Sequence, residues 1–443
     1  YLYLRYVINV EIKNMFFETL LFITLTALFV FLLNCNIVYV RHRWSALSPF
    51  NFYIFLNVII FLDFYFFYYQ RDTSFLEQSF YISDDDFFLG FYFYIYSYIM
   101  LTLGMIVYLL GRNKNKRQEV IIYDDEFNAS TKRLYRNQFV GISIISLIIL
   151  ASNFGAVISM IAGDITKQNL FRDELGLLFL FTFLPYSAAL AISATEKLRN
   201  RILIILVSSA LMIFTDSRGG VIYMFLLLFY AYNEKNKKIN LISYFIALPL
   251  VGYLLTVLRY VFRESWRYSS MSDFVDDKGG YFQLFFNSVE ISMAEVISTA
   301  IKFSNYISRF PLESIWAGVV FPIPRSIYES KPVGGSSAFT SIMSPDKWFY
   351  TKSEIVVTGY GDLYLNLGFL FSGILLFIVG VFWTYLIIKS VNKGVQNNIY
   401  IIPVLMWLMY TFLRADIFNM MRWLWAFVIF NLIIYILNKI KIR

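Results

Sequence analysis

Apolar runs of about twenty residues, broken by short polar links, recur along the whole chain. That is the length a helix needs to cross a hydrocarbon layer about 30 Å thick. The runs predict eleven spans, at 16–38, 50–69, 87–111, 138–162, 174–195, 201–215, 219–233, 239–261, 363–388, 399–414 and 421–438. Strands crossing as a barrel would alternate apolar and polar positions over about ten residues, and that alternation is absent. The pattern reads as an all-α polytopic membrane protein. It divides into a bundle of eight spans over 1–261, one long connection over 262–362, and three spans over 363–443.

Composition agrees with this reading. The chain is 58% hydrophobic and 15% charged, against about a quarter charged in a soluble domain. Its mean hydropathy is +0.60. Cys35, the single cysteine, lies in the first apolar run, and the single histidine, His42, flanks it. These counts allow no disulfide framework and no Cys- or His-built metal site. No metal and no cofactor is expected. The first run is long and lacks a small-residue cleavage site, so a cleavable signal peptide is not expected.

Charge then orders the loops. Basic residues gather at Arg41/Arg43, Arg112 to Arg117, Lys132/Arg133/Arg136, Lys197/Arg199/Arg201, Lys235/Lys237/Lys238, Lys389/Lys393 and Lys439/Lys441/Arg443. The links between them are acidic or mixed, as at Asp84-Asp85-Asp86. By the positive-inside rule, the basic loops and the C-terminus face the cytoplasm, and the long 262–362 segment faces outward. The net charge of +8 is thus a topology signal, and no nucleic-acid partner is expected.

The outward links hold the candidate chemistry, because ionisable groups near membrane depth are expensive and therefore informative. Asp216-Ser217-Arg218-Gly219-Gly220 joins two short spans. Arg218 suits bidentate grip on a phosphate, or it pairs with Asp216 to cap the hairpin. Arg259, Arg263 and Arg267 recur at four-residue spacing, which puts them on one helix face; an anion or a belt of lipid headgroups would offset them. The stretch from Tyr281 to Phe310 is amphipathic and is expected to lie along the outer interface. Pro322, Pro324 and Pro332 stiffen an extended path that presents Arg325 and Lys331. Gly334-Gly335-Ser336-Ser337 reads as a flexible or anion-cradling loop. Arg414, Asp416 and Arg422 share the last outward link. Asp362 is the first candidate for a general base, with Glu354, Asp216 and Asp416 behind it; capping the ninth span is the competing role for Asp362.

Two of these stretches carry a resemblance. Phe321-Pro322-Ile323-Pro324-Arg325-Ser326-Ile327-Tyr328-Glu329-Ser330-Lys331-Pro332 is followed by Thr358-Gly359-Tyr360-Gly361-Asp362-Leu363-Tyr364-Leu365-Asn366-Leu367-Gly368. Together they resemble the bacterial oligosaccharide repeat-unit polymerases (the Wzy-type O-antigen polymerases). The Ser217-Arg218-Gly219 turn is similar to one in the wider group of polymerases and O-antigen ligases. Two departures stand out. Arg267 and Gly279 are one residue too far apart for the Arg-x10-Gly spacing of some members. The ligases' large-loop histidine has no counterpart, which favours polymerase over ligase.

The resemblance implies a GT-C-like membrane glycosyltransferase in the bacterial inner membrane, with its active site facing the periplasm. It would move a glycan from undecaprenyl diphosphate to the non-reducing end of a second lipid-linked repeat unit. Arg218, Arg325, Lys331, Arg263, Arg267, Arg414 and Arg422 would hold the diphosphate, and Asp362, Glu354 or Asp216 would serve the acceptor hydroxyl. Membrane lipids and a chain-length regulator are the implied partners. An O-antigen ligase and a transporter or flippase of lipid-linked sugars are the competing readings.

Overall fold

A computed structural model describes residues 49–69, 82–113, 127–155 (153 excepted), 175–213 (196 excepted), 268–281 (278–279 excepted), 293–304, 312–349 (347 excepted), 354–391 and 395–441, with single positions between 220 and 260 and at 306. Every element among them is a helix. They are α1 (Pro49–Tyr69), α2 (Asp84–Asn113), α3 (Ala129–Ser152), α4 (Leu175–Ser193), α5 (Leu198–Ile213), α6 (Met271–Asp277), α7 (Met293–Lys302), α8 (Glu313–Val319), α9 (Gly335–Met343), α10 (Thr358–Val391), α11 (Val395–Arg414) and α12 (Ile417–Lys441).

Four of these are long and apolar enough to cross a membrane: Asp84–Gly111, Ala129–Ser152, Thr358–Val391 and Ile417–Lys439. Phe52–Phe67, Phe181–Ser193 and Ile399–Arg414 are shorter apolar helices. The molecule is therefore a helical, membrane-embedded protein. The expected span at 16–38 and most of those at 219–233 and 239–261 lie outside the described residues.

Aromatic packing closes the first hairpin. Phe64 on α1 is fully buried, with its ring 5.9 Å from Phe87, 5.3 Å from Phe91 and 5.2 Å from Tyr94 on α2. Each such pair adds about 0.5–1.5 kcal/mol beyond area burial. Tyr53 meets Tyr98, further along α2, so α1 and α2 run antiparallel. By contrast α2 and α10 run parallel: Phe93 meets Tyr364 at 4.8 Å, Tyr96 meets Phe369 at 4.8 Å, and Tyr108 meets Tyr385 at 6.2 Å. Their backbones touch where glycine removes the side chain. A Cβ on Gly380 would sit 2.2 Å from the Leu101 carbonyl oxygen. Close approach through small residues is how helices gain contact where lipid supplies no hydrophobic drive.

Four expectations are corrected. The span placed at 138–162 is helical from Ala129, because the Asn128 side chain accepts from the Thr131 N–H at 2.8 Å and caps the helix there. The span placed at 363–388 starts at Thr358 and is broken at Gly368, whose φ of 68° and ψ of −169° suit only glycine. The stretch expected along the interface contains α7, nine of whose ten residues, Met293 to Ile301, are buried. It packs between α1, α2 and the first part of α10. Asp63 on α1 receives the Ala294 N–H at 2.7 Å, which satisfies a donor at the start of α7. Lastly, the proline-rich strip is a series of tight turns rather than an extended path, with Ile323 N–H bonding Val320 C=O and Ile327 N–H bonding Pro324 C=O.

Candidate functional site

The residues that start α10 and α12 and end α11 meet under α8 and α9. Ala415 and Asp416 alone link α11 to α12. The Asp416 Oδ1 accepts from the Asn419 backbone N–H and from its side-chain amide, both at 2.8 Å, which caps α12. Its Oδ2 takes the Ser336 N–H at 2.7 Å. Ser336 belongs to the first turn of α9, so the Gly/Ser stretch expected as a loop is a buried helix start. An amide at a helix N-terminus is short of an acceptor, and a carboxylate supplies one.

Asp362 is 0% exposed and is bracketed by three elements. Its Oδ1 accepts from the Ser314 hydroxyl of α8 at 2.7 Å and from the Asn366 amide at 3.0 Å, and its Oδ2 accepts from the Ile417 N–H of α12 at 3.0 Å. The start of α9 also presses on it, since a Cβ on Gly335 would lie 2.2 Å from Oδ1. Two of its donors, Ser314 and Ile417, stand at the starts of other helices, and the third, Asn366, lies one turn along its own. That is a different arrangement from a cap on the ninth span, and it leaves little of the carboxylate to meet a substrate.

Glu354 differs. It stands in the connection before α10 and keeps part of its surface open. Burial of the rest pushes its carboxyl above the ordinary glutamate range, and the neighbouring Asp416 pushes the same way. The Ser337 hydroxyl, which donates to Glu354, together with Arg422 and Asn419, pulls it partly back. A carboxyl whose pKa is raised by burial, standing beside a cation, is a candidate proton acceptor.

Arg414 ends α11 and Arg422 follows five residues after the start of α12. Neither guanidinium donates a hydrogen bond within the described residues, and the enclosed Nε of each has no partner. Arg422 faces the carboxylates of Glu354 and Asp416 electrostatically. Arg414 forms no ion pair among the described residues. A buried donor without an acceptor is costly, so an anionic acceptor would find two cations already in place.

Arg325 and Lys331 are used differently. An Arg325 Nη donates to the Lys331 carbonyl at 2.9 Å, and the Lys331 ammonium donates to the carbonyls of Phe321 and Ile323 at 2.7 and 3.0 Å. Lys331 also sits 5.2 Å from the Phe321 ring centre. Its partial enclosure and the nearby Arg325 lower its pKa from the ordinary lysine value. These cations staple the proline turns. The turns rest on the rim of the cluster, with Phe321 5.7 Å from Phe418 of α12. Asp216, Arg218, Arg263 and Arg267 lie outside the described residues.

Sequence reasoning gave no role to Ser314 or Asp63, and took Asn366 only as a position of the 358–368 motif. Asp63 left a signal, as the one charge within the 50–69 apolar run, and Asn366 left one through its motif. Ser314 is an ordinary polar residue whose role comes from a partner 48 residues away. Comparison with family models, with curated proteins and with solved structures gave no match.

Proposed function

We propose that this protein is a membrane glycosyltransferase that extends a lipid-linked glycan, taking a sugar chain from a polyprenyl diphosphate donor. The observation that carries the proposal is Glu354 facing Arg422 beside Asp416, with Arg414 two residues before Asp416, at the end of a membrane-spanning helix. The leaving group is a lipid diphosphate bearing two to three negative charges, and preorganised cations are what stabilise such charge as it develops. Arg414 and Arg422 take that role here. Glu354 receives the acceptor hydroxyl's proton, while Asp362 and Asp416 hold the helix starts that set the geometry. The Arg325–Lys331 turn shapes the rim through Phe321. With the charge pattern of the loops, the site would open on the periplasmic face of a bacterial inner membrane. The repeat-unit polymerase resemblance of the 321–368 stretch narrows the reading to glycan polymerisation.

A transporter of lipid-linked sugars is less well supported. Its ionisable residues would sit at mid-membrane, whereas Asp362 and Asp416 gather at helix ends and Asp63 lies level with the first turns of α2.

The test is gene deletion in the native host, followed by complementation. A polymerase deletion leaves surface glycan with single repeat units in place of a ladder; complete loss of glycan transfer to the core indicates a ligase or flippase instead. Arg414→Ala and Arg422→Ala should each fail to restore the ladder at wild-type membrane abundance. Ladders of normal length from both variants would refute the assignment of these cations.

A further inference from the structure

α8 and the turns after it carry one surface that faces away from the site. α8 buries Ser314, Ala317 and Gly318 and turns Leu312, Trp316 and Val319 outward, with Trp316 45% exposed. The turns that follow add Ile323, Ile327 and Val333, and Ile327 is 77% exposed. Six exposed apolar side chains within 22 residues would be an aggregation hazard if water covered them. What lies below them identifies the cover. The inner face of α8 packs on α12: a Cβ on Gly318 would lie 2.6 Å from the Met421 Cβ, and the Trp425 indole N–H donates to the Gly318 carbonyl at 3.0 Å. Met421 and Trp425 continue at helical spacing into Val428 and Leu432, which are exposed on the apolar outer stripe of this membrane-spanning helix.

We infer that the 312–333 segment is an interfacial collar, seated in the headgroup and upper acyl region of the bilayer rather than in water. The occupant of its apolar face is lipid. The exposed stripe of α12 faces acyl chains, and the outer face of α8 extends that same surface upward without a break. A tryptophan beside proline-stiffened turns, with the charged Arg325 and Lys331 at their edge, is the composition of a membrane-interface element. One consequence bears on the site. Arg422 stands one residue from Met421 and about 4.5 Å along the axis from Trp425, so the collar fixes the cluster close to interface depth. A lipid-borne substrate would reach it without leaving the leaflet. The inference requires only that the chain spans a membrane, and it stands or falls separately from the glycosyltransferase reading.

Spin-label depth measurement tests it on the full chain in proteoliposomes. In a Cys35→Ser background, Trp316→Cys, Ile323→Cys and Ile327→Cys carry the label, with Asp346→Cys as the aqueous reference and Leu432→Cys as the hydrocarbon reference. Ile323 and Ile327 are exposed, so their replacement leaves the fold intact even if Trp316 proves sensitive. The ratio of oxygen to water-soluble nickel collisions should be several-fold above that at position 346 and below that at position 432. Ratios equal to that at 346 at positions 323 and 327 would overturn the collar. Ratios equal to that at 432 would also overturn it, by placing the segment in the hydrocarbon.

Discussion

Replacing Asp362 by alanine removes the acceptor that three buried donors share. The Asn366 amide keeps the Asp362 backbone carbonyl at 2.6 Å, and the Ser314 hydroxyl can rotate, so those two losses are partly recovered. The Ile417 N–H cannot be recovered in this way, since it is fixed at the start of α12. An orphaned buried donor costs about 1–3 kcal/mol, and the vacated carboxyl volume adds about 1 kcal/mol. The expected destabilisation is about 2–4 kcal/mol. Asp362→Asn keeps the volume and one acceptor oxygen but turns an amide toward either Ile417 or Ser314, so its loss should be about 1–3 kcal/mol. The assay is unfolding of the detergent-solubilised protein by graded denaturant, run beside Glu354→Gln. Glu354 is partly exposed and accepts from the Ser337 hydroxyl, so its change in stability should stay below about 1 kcal/mol, while ladder formation is lost. If Asp362→Ala unfolds at the wild-type midpoint yet abolishes activity, the bracket argument fails and Asp362 takes part in the chemistry.

Three further outcomes follow from the same geometry. Activity should rise with pH through an apparent pKa above the ordinary glutamate value of about 4.3, because burial and Asp416 raise Glu354; Glu354→Gln should remove that limb, and a limb unchanged in the variant would assign it elsewhere. The linked stability has the opposite sign: the folded state binds the extra proton, so this contribution is complete below the unfolded pKa and is lost as pH rises through the raised value. Gly380→Ala should separate α2 from α10, since its Cβ would meet the Leu101 carbonyl oxygen at 2.2 Å; a loss of about 1–3 kcal/mol is expected, and a neutral midpoint would contradict the packing. Lys331→Met should free the carbonyls of Phe321 and Ile323 and raise protease cleavage between 322 and 332 several-fold, whereas an unchanged digestion rate would show that the staple is dispensable.

Local pattern decided the membrane class, most helix positions and the sorting of charge between loops, because apolar length and loop charge are properties of contiguous residues. It also selected Glu354, Asp416, Arg414 and Arg422 as residue types suited to an outward site. It ranked Asp362 ahead of Glu354 as the candidate base without access to what sets the two apart. Both are carboxylates just before or within the ninth span, and their difference lies in donors 48 and 55 residues away for Asp362. Nor did it place α7 correctly, since an amphipathic stripe fits a bilayer interface and a groove between α1 and α2 equally well. Arg325 and Lys331 looked like ligand clamps because cations on prolines suggest a rigid display, yet the backbone carbonyls they bond come within reach only once the turns close. Sequence by itself therefore determined that this protein is built of apolar helices for a membrane, and which ionisable groups stand in the links between them. Tertiary structure decided which of those groups are spent on hydrogen bonds among the described residues, because a lone pair or N–H is committed only by partners that folding brings to it.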